Sequence, residues 1–197
     1  MGIHKCIDVA VYQKAKNNNE YCGDSYYYKE TEDEFICVLA DGLGSGKYAK
    51  ESSQAVIDIV ESNYNAPVDT LIKMFQQSLI GKRGVVFGLL RLDLKSKQYT
   101  FYSIGNVSVM AFSPTFGKKF HIPESGYLGG YTKPVKEVEA DLEEGTVIVM
   151  FSDGVRAQAL SSKSIIGKNV DAIIDYYSTM HNAQKEDDAT LIAMEVL

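Results

Sequence analysis

The sequence predicts an α+β fold of antiparallel sheets covered by helices, and three observations lead there. Apolar residues alternate with period two near the start and through the middle of the chain. Two helical stripes follow each other directly and a third comes late, so helices and strands are grouped rather than interleaved. A doubly wound parallel sheet would need more crossover helices than this chain supplies.

Along the chain, Ile7, Val9 and Val11 alternate as an opening strand, and Asn17-Asn18-Asn19 is the loop that ends it. Tyr26 to Lys29 is a short strand. Phe35 to Ala40 is an apolar run that stops at Asp41-Gly42, which predicts a strand buried on both faces. The period then changes: Ala49, Val56, Ile57, Val60 and Tyr64 share one helical face, and Val68, Leu71, Ile72, Phe75 and Leu79 form a second stripe after Pro67. From Val85 to Phe112 period two returns, with Val86, Leu90, Leu92 and Leu94 and then Val107, Val109 and Ala111, as meandering antiparallel strands. Val147 to Phe151 is another buried strand. Val170, Ile173, Ile174 and Tyr177 make a third helical stripe, and Leu191 to Val196 a closing strand. Neither repeat nor linker interrupts the 197 residues, so one domain is expected.

Composition narrows the function. Hydrophobic residues are 45% and charged residues 23% of the chain, as in globular domains. The formal charge of −6, without a basic cluster interleaved with aromatics, excludes nucleic acid as the expected partner. Cys6, Cys22 and Cys37 are odd in number and form no CxxC pair, which predicts reduced thiols and a cytoplasmic protein. The N-terminus lacks the apolar core of a signal peptide, and the longest apolar runs are too short to span a bilayer. No membrane association is expected.

Four aspartates, Asp24, Asp41, Asp153 and Asp187, each stand at or beside a strand end, where loops carry chemistry. Asp41-Gly42 and Asp153-Gly154 come directly after apolar strands, and turn chemistry accounts for either dipeptide alone. A glycine-rich loop and a helix come after Asp41-Gly42, however, so no partner strand completes a hairpin. Asp187-Asp188 precedes the closing strand, where a solvated strand end is the plainer reading. If these strand ends converge, the carboxylates repel and must protonate or bind cations. An all-oxygen set selects Mg²⁺ or Mn²⁺ over zinc or copper. Two such ions held by a bridging aspartate suit hydrolysis of a phosphate ester.

Other signals carry less. Gly42, Gly44 and Gly46 before Lys47 fail both the P-loop and the dinucleotide spacing. His4, His121 and His181 belong to no HExxH motif and read as surface or loop residues. Tyr26-Tyr27-Tyr28 reads as sheet packing rather than a stacking platform. Lys82 and Arg83, between Gly81 and Gly84, read as a solvated turn, with a grip on a phosphoprotein as the alternative.

Taken in order, Cys22-Gly23-Asp24-Ser25, Ala40-Asp41-Gly42-Leu43-Gly44-Ser45-Gly46, Ser152-Asp153-Gly154 and Asp187-Asp188-Ala189-Thr190 resemble the motifs of the metal-dependent PPM phosphatases, in their SpoIIE-like branch. Ser103-Ile104-Gly105-Asn106-Val107 and Ser125-Gly126-Tyr127-Leu128 share the likeness to the feedback phosphatases of the bacterial stressosome. The resemblance implies a four-layer αββα sandwich, with residues 1–197 as one catalytic domain. It implies a protein phosphoserine/phosphothreonine phosphatase acting on a stressosome scaffold or STAS-domain protein, and a monomer is expected. Asp41 would bridge two Mn²⁺ or Mg²⁺ ions, the Gly42 carbonyl would bind one, and Asp153 and Asp187 the other. Asp24 would hold metal-bound water or the second metal. Two departures are visible: Gly23 stands where many relatives have Glu, and Leu43-Gly44-Ser45-Gly46 lacks the His of many relatives. The first removes a ligand of the second ion; the second removes a general acid. A binding module without turnover, and a phosphatase of small phosphate esters, are the alternatives.

Overall fold

Strand Phe35–Ala40 has alternate residues facing two different cores, and this decides the architecture. Cys37 and Leu39 join one cluster, Ile36, Val38 and Ala40 another. A sheet so covered lies between a second sheet and a layer of helices. The computed structural model describes residues 5–121, 124–130, 134–181 and 187–197. His4 and the side chain of His181 lie outside the described residues.

In chain order the elements are β1 (Ile7–Lys14), β2 (Asp24–Glu30), β3 (Glu34–Gly42), α1 (Lys47–Ser62), α2 (Val68–Ser78), β4 (Val85–Asp93), β5 (Gln98–Ile104) and β6 (Ser108–Ser113). Then come β7 (Gly117–His121), β8 (Lys136–Asp141), β9 (Val147–Phe151), α3 (Ser162–Ile165), α4 (Val170–His181) and β10 (Ala189–Val196). Two five-stranded antiparallel sheets result, one ordered β1-β10-β9-β6-β7 and the other β2-β3-β4-β5-β8. The inner cluster, with Leu39, Leu90, Phe101, Val109, Met150 and Ile192, fills the space between the sheets. Helices α1 and α2 cover the outer face of the β3 sheet through Val56, Val60, Leu71 and Phe75. Helices α3 and α4 cover the other sheet through Ile165, Val170, Ile173 and Tyr177. This is the four-layer αββα sandwich. Among the described residues, no helix is long and apolar enough to cross a membrane.

Three sequence expectations need correction. The strands from Val85 to Phe112 do not form one meander: β4 and β5 pair in one sheet, and β6 belongs to the other. The chain changes sheet at Gly105, whose φ of +90° admits the sharp turn, and period two carries no sign of such a switch. Tyr64 lies beyond α1, in a turn, where Lys29 Nζ sits 3.5 Å from its ring centre. His121 is no loop histidine: it closes β7, half-buried, and its Nε2 lies 2.8 Å from the Tyr99 hydroxyl. Tyr99 is on β5, so that hydrogen bond ties the two sheets together. Tyr26 to Tyr28 pack the sheet as expected, Tyr26 inward and Tyr27 toward the helices, while Tyr28 stacks on Phe35 at 6.2 Å.

Candidate active site

The aspartates converge because the sheets align their strand ends. In the register of β2 with β3, Asp24 stands directly opposite Asp41, so both carboxylates leave the same face. That face is the inner one, shared with Leu39 and Cys37. From the other sheet, Ser152 comes directly after the last residue of β9 and Thr190 is the second residue of β10; Asp153 and Asp187 lie just beyond them. The mouth between the sheets is therefore ringed by carboxylates from both.

A cleft of about 380 Å³ opens there, lined by Asp41, Gly42, Asp153 and Asp187, with Lys16 and Asn106 at its walls. Asp24 is absent from the lining. It is fully buried below Asp41, and its Oδ2 accepts hydrogen bonds of 2.7 Å from both the Ser152 and Thr190 hydroxyls. Its Oδ1 is buried without a hydrogen-bond partner. Asp24 thus joins the sheets at the floor of the cleft.

The electrostatics are strained. Burial pushes the Asp41 carboxyl up to about 8, and repulsion from Asp24, Asp153, Asp187 and Asp188 adds to it. Burial likewise raises Asp24 to about 6, against the opposing pull of the Ser152 and Thr190 hydroxyls. Asp153 is raised by burial and then by Asp187. Lys16 gives little relief, with Nζ 3.7 Å from Asp187 Oδ1 on a surface-exposed pair.

Three contributors carry no signal of their role in the sequence. Asp188, the second of the paired carboxylates, is buried and accepts from the backbone N–H of Lys16 at 2.8 Å and of Gly23 at 2.9 Å. It fixes the loop before β2 against the start of β10. This contact also explains Gly23: a Cβ there would lie 2.7 Å from Asp188 Oδ2, so a larger side chain requires Asp188 to move. Asn106 donates from Nδ2 to Asp153 Oδ2. Lys16 reaches the cleft from the loop after β1. For the Asp24 partners a signal did exist: a hydroxyl residue is repeated beside each acidic motif, in Ser152-Asp153 and Asp188-Ala189-Thr190.

The Asp-Gly pairs have their own reason. Neither Gly42 nor Gly154 has a positive φ, so left-handed turn geometry does not explain them. A Cβ on Gly42 would stand 2.0 Å from the Ala49 carbonyl oxygen, and one on Gly154 would stand 2.1 Å from the Asp188 carbonyl oxygen. Each glycine lets a neighbouring backbone press against the loop that carries an aspartate.

Among the described residues, no three acidic, histidine or cysteine side chains stand close enough to form a preassembled cation cage. The donor set still fits a hard divalent cation: oxygen ligands, crowded negative charge and an unpartnered buried Asp24 Oδ1. All three features are relieved by positive charge at the cleft floor.

Residues 31–197 match the family of stage II sporulation protein E (SpoIIE). The chain is 34% identical over 186 residues to the phosphoserine phosphatase RsbX of Bacillus subtilis (strain 168), covering 94% of this chain and 93% of that protein. It superposes on a crystal structure of RsbX in complex with magnesium with a TM-score of 0.89, at 31% identity, over 98% of this chain and 97% of that one. A second structure, from work on the bacterial stressosome as a modular system, matches with a TM-score of 0.87 at 22% identity, over 97% of this chain and 100% of that one, and shows the shared fold alone. With its two face-to-face sheets, its outer helices and its ring of aspartates at the mouth between them, the chain belongs to the SpoIIE family of PPM-type phosphatase domains.

Proposed function

We propose that residues 1–197 form one catalytic domain that hydrolyses phosphoserine or phosphothreonine on a protein, with two Mn²⁺ or Mg²⁺ ions held by this cleft. The supporting observation is that Asp41, Asp153 and Asp187 line one small opening in which Asp41 keeps its proton near neutral pH unless a cation replaces it. Asp41 would be the ligand shared by the two ions, the Gly42 carbonyl would serve one, and Asp153 and Asp187 would hold the other. When bound, the ions supply charge neutralisation for a phosphate ester and activation of water. Asp24 acts from beneath: its Oδ2 is fixed by Ser152 and Thr190, which leaves Oδ1 to accept a hydrogen bond from the cleft floor. Asn106 orients the Asp153 carboxylate, as outer partners orient ligands elsewhere. Gly23 offers no carboxylate for the second ion, which is the weaker of the two in this reading. The loop Leu43-Gly44-Ser45-Gly46 offers no histidine as proton donor.

The substrate in this reading is a phosphorylated stressosome scaffold or STAS-domain protein, met in the cytoplasm by a monomeric enzyme. RsbX, a phosphoserine phosphatase of nearly the same length, supports that class. The test is phosphate release from a serine-phosphorylated STAS-domain scaffold, from unrelated phosphoproteins and from p-nitrophenyl phosphate, with Mn²⁺, with Mg²⁺ and with excess EDTA. We expect kcat/KM on the scaffold at least ~100-fold above the other substrates, and loss of all turnover in EDTA. Equal rates on every phosphoprotein would remove the scaffold assignment. Full activity in EDTA, with no metal in the protein, would remove the two-ion site. Tight binding of the phosphorylated scaffold without release of phosphate would make the chain a binding module.

A further inference from the structure

Among the described residues, the two most exposed large apolar side chains are Ile80 at 71% and Tyr48 at 64%. Tyr48 is on the first turn of α1, directly after the glycine loop that lines the cleft. Ile80 lies beyond α2 in the connection to β4. Tyr127 at 48% and Leu43 at 36% are exposed with them.

Contacts join these residues into one surface. The Arg83 guanidinium donates from Nη1 to the carbonyls of Leu43 at 3.3 Å and Ser45 at 3.5 Å, and lies 5.6 Å from the Tyr48 ring centre. The Leu43 N–H donates to the Gly84 carbonyl at 2.9 Å. The Tyr127 ring lies over Gly84, where a Cβ would meet it at 2.5 Å, and Ile80 approaches Gly130, three residues beyond Tyr127. Leu43 belongs to both the cleft lining and this surface, so the surface is continuous with the place where a phosphate would bind.

Its charge differs from that of the chain. Arg83 stands against Tyr48, and Lys82 lines an adjoining groove with Lys47 and Lys50 that also holds two acids, Glu51, 3.9 Å from Lys47, and Asp58, so basic groups outnumber acidic ones there. A local cationic, apolar surface on a chain of net charge −6 fits a partner surface that is apolar and acidic. The cleft is lined chiefly by carboxylates, glycines, a lysine and an amide, a set that reads a phosphate rather than the side chains around it, so discrimination among phosphoproteins has to come from outside it.

We propose that Tyr48, Ile80, Arg83 and Tyr127 form the docking surface for the folded phosphoprotein substrate, contacting apolar and acidic side chains around its phosphorylated residue. This inference rests on the phosphoprotein reading of the cleft. Arg83 has two roles here: it braces the glycine loop and faces the partner. Neither Tyr48 nor Ile80 is among the described residues that line the cleft, so they separate docking from chemistry.

The experiment compares wild type with Tyr48→Ser, Ile80→Ser and the double variant on two probes: a serine-phosphorylated STAS-domain scaffold and p-nitrophenyl phosphate. Each single substitution is expected to raise KM on the phosphoprotein at least ~5-fold and the double variant at least ~30-fold, while kcat/KM on p-nitrophenyl phosphate stays within about 2-fold. Unchanged KM on the phosphoprotein overturns the docking surface. An equal loss on both probes also overturns it, by showing that the residues act through the cleft. If wild type sediments as a dimer and the double variant as a monomer, the surface is a self-association face and the proposal fails. Should wild type hydrolyse only p-nitrophenyl phosphate, the phosphoprotein reading fails instead, and with it the premise of the surface.

Discussion

Replacing Asp41 with Asn is expected to lower turnover by at least ~10³-fold and, in the same protein, to raise the melting temperature of the metal-free form by about 5 °C at pH 8. The two effects have one cause. Asp41 is placed where its ionised form is opposed by burial and by Asp24, Asp153, Asp187 and Asp188. Its folded-state pKa of about 8 lies above its ordinary value of 3.8, so between those values the folded state binds the extra proton. Stability of the metal-free protein therefore falls as pH rises through that window, and the full penalty is present only above about 8. Asp24, raised to about 6, and Asp153, also raised, act with the same sign. An amide of the same shape removes the charge and the penalty, and with it the group proposed to bridge the ions. Thermal melts in EDTA at pH 5, 7 and 8.5 check this. Wild type should melt lower as pH rises, the variant should change less, and added Mg²⁺ should raise the wild-type melting temperature more at pH 8.5 than at pH 5. A metal-free wild type that becomes more stable from pH 5 to 8.5 would contradict the strain assigned to this cluster.

The sequence exposed the frame of this site better than its supports. Strand ends, the two Asp-Gly pairs and Asp187-Asp188 could be read directly, because buried strands are continuous apolar runs and their termini are marked by abrupt polarity. The helical stripes on α1, α2 and α4 were equally legible, since their buried faces repeat at helical spacing. The segment from Pro114 to Thr146 was illegible, and physical reasons are visible. Strand β7 is five residues long with two lysines, and β8 is an edge strand reading Lys-Glu-Val-Glu-Ala-Asp, in which only the side facing the sheet is shielded. β7 lacks the apolar alternation that identifies a strand, and in β8 the alternation is confined to two small side chains, Val138 and Ala140. The roles of Asp188 and Asn106, though both stand in segments the sequence singles out, escaped for another reason: both act through partners distant in sequence, Asp188 through Lys16 and Gly23 and Asn106 through Asp153. Spacing along the chain does not encode such contacts. The assembly of two sheets, which puts β5 and β6 in different layers, is tertiary information of the same sort.

Gly42→Ala and Gly154→Ala are each expected to destabilise the protein by about 3 kcal/mol and to weaken its affinity for Mn²⁺ at least ~10-fold, although neither removes a charged group. A methyl on Gly42 would meet the oxygen, carbonyl carbon and Cα of Ala49 at 2.0, 2.5 and 2.8 Å. All three are backbone atoms of α1, which cannot turn aside as a flexible side chain can. Either the helix moves off the sheet, breaking its fit against Val38 and Ala40, or the end of β3 moves and takes Asp41 with it. At Gly154 the obstruction is the Asp188 carbonyl at 2.1 Å, with the Ala189 Cα at 3.1 Å, so the displaced element is the start of β10 beside Asp187. Both substitutions therefore spread the cleft from opposite sheets. Gly130→Ala is the control: among the described residues its added Cβ meets only Ile80 Cγ1, at an ordinary 3.6 Å, and its stability should stay within about 0.5 kcal/mol of wild type. Denaturant melts and Mn²⁺ titration of the three variants separate the possibilities. If the glycines served only as turn formers, alanine at 42 and 154 would cost little, since neither has a left-handed backbone, and Mn²⁺ affinity would be unchanged. That result would refute the close approach of backbones as the reason each aspartate is followed by glycine.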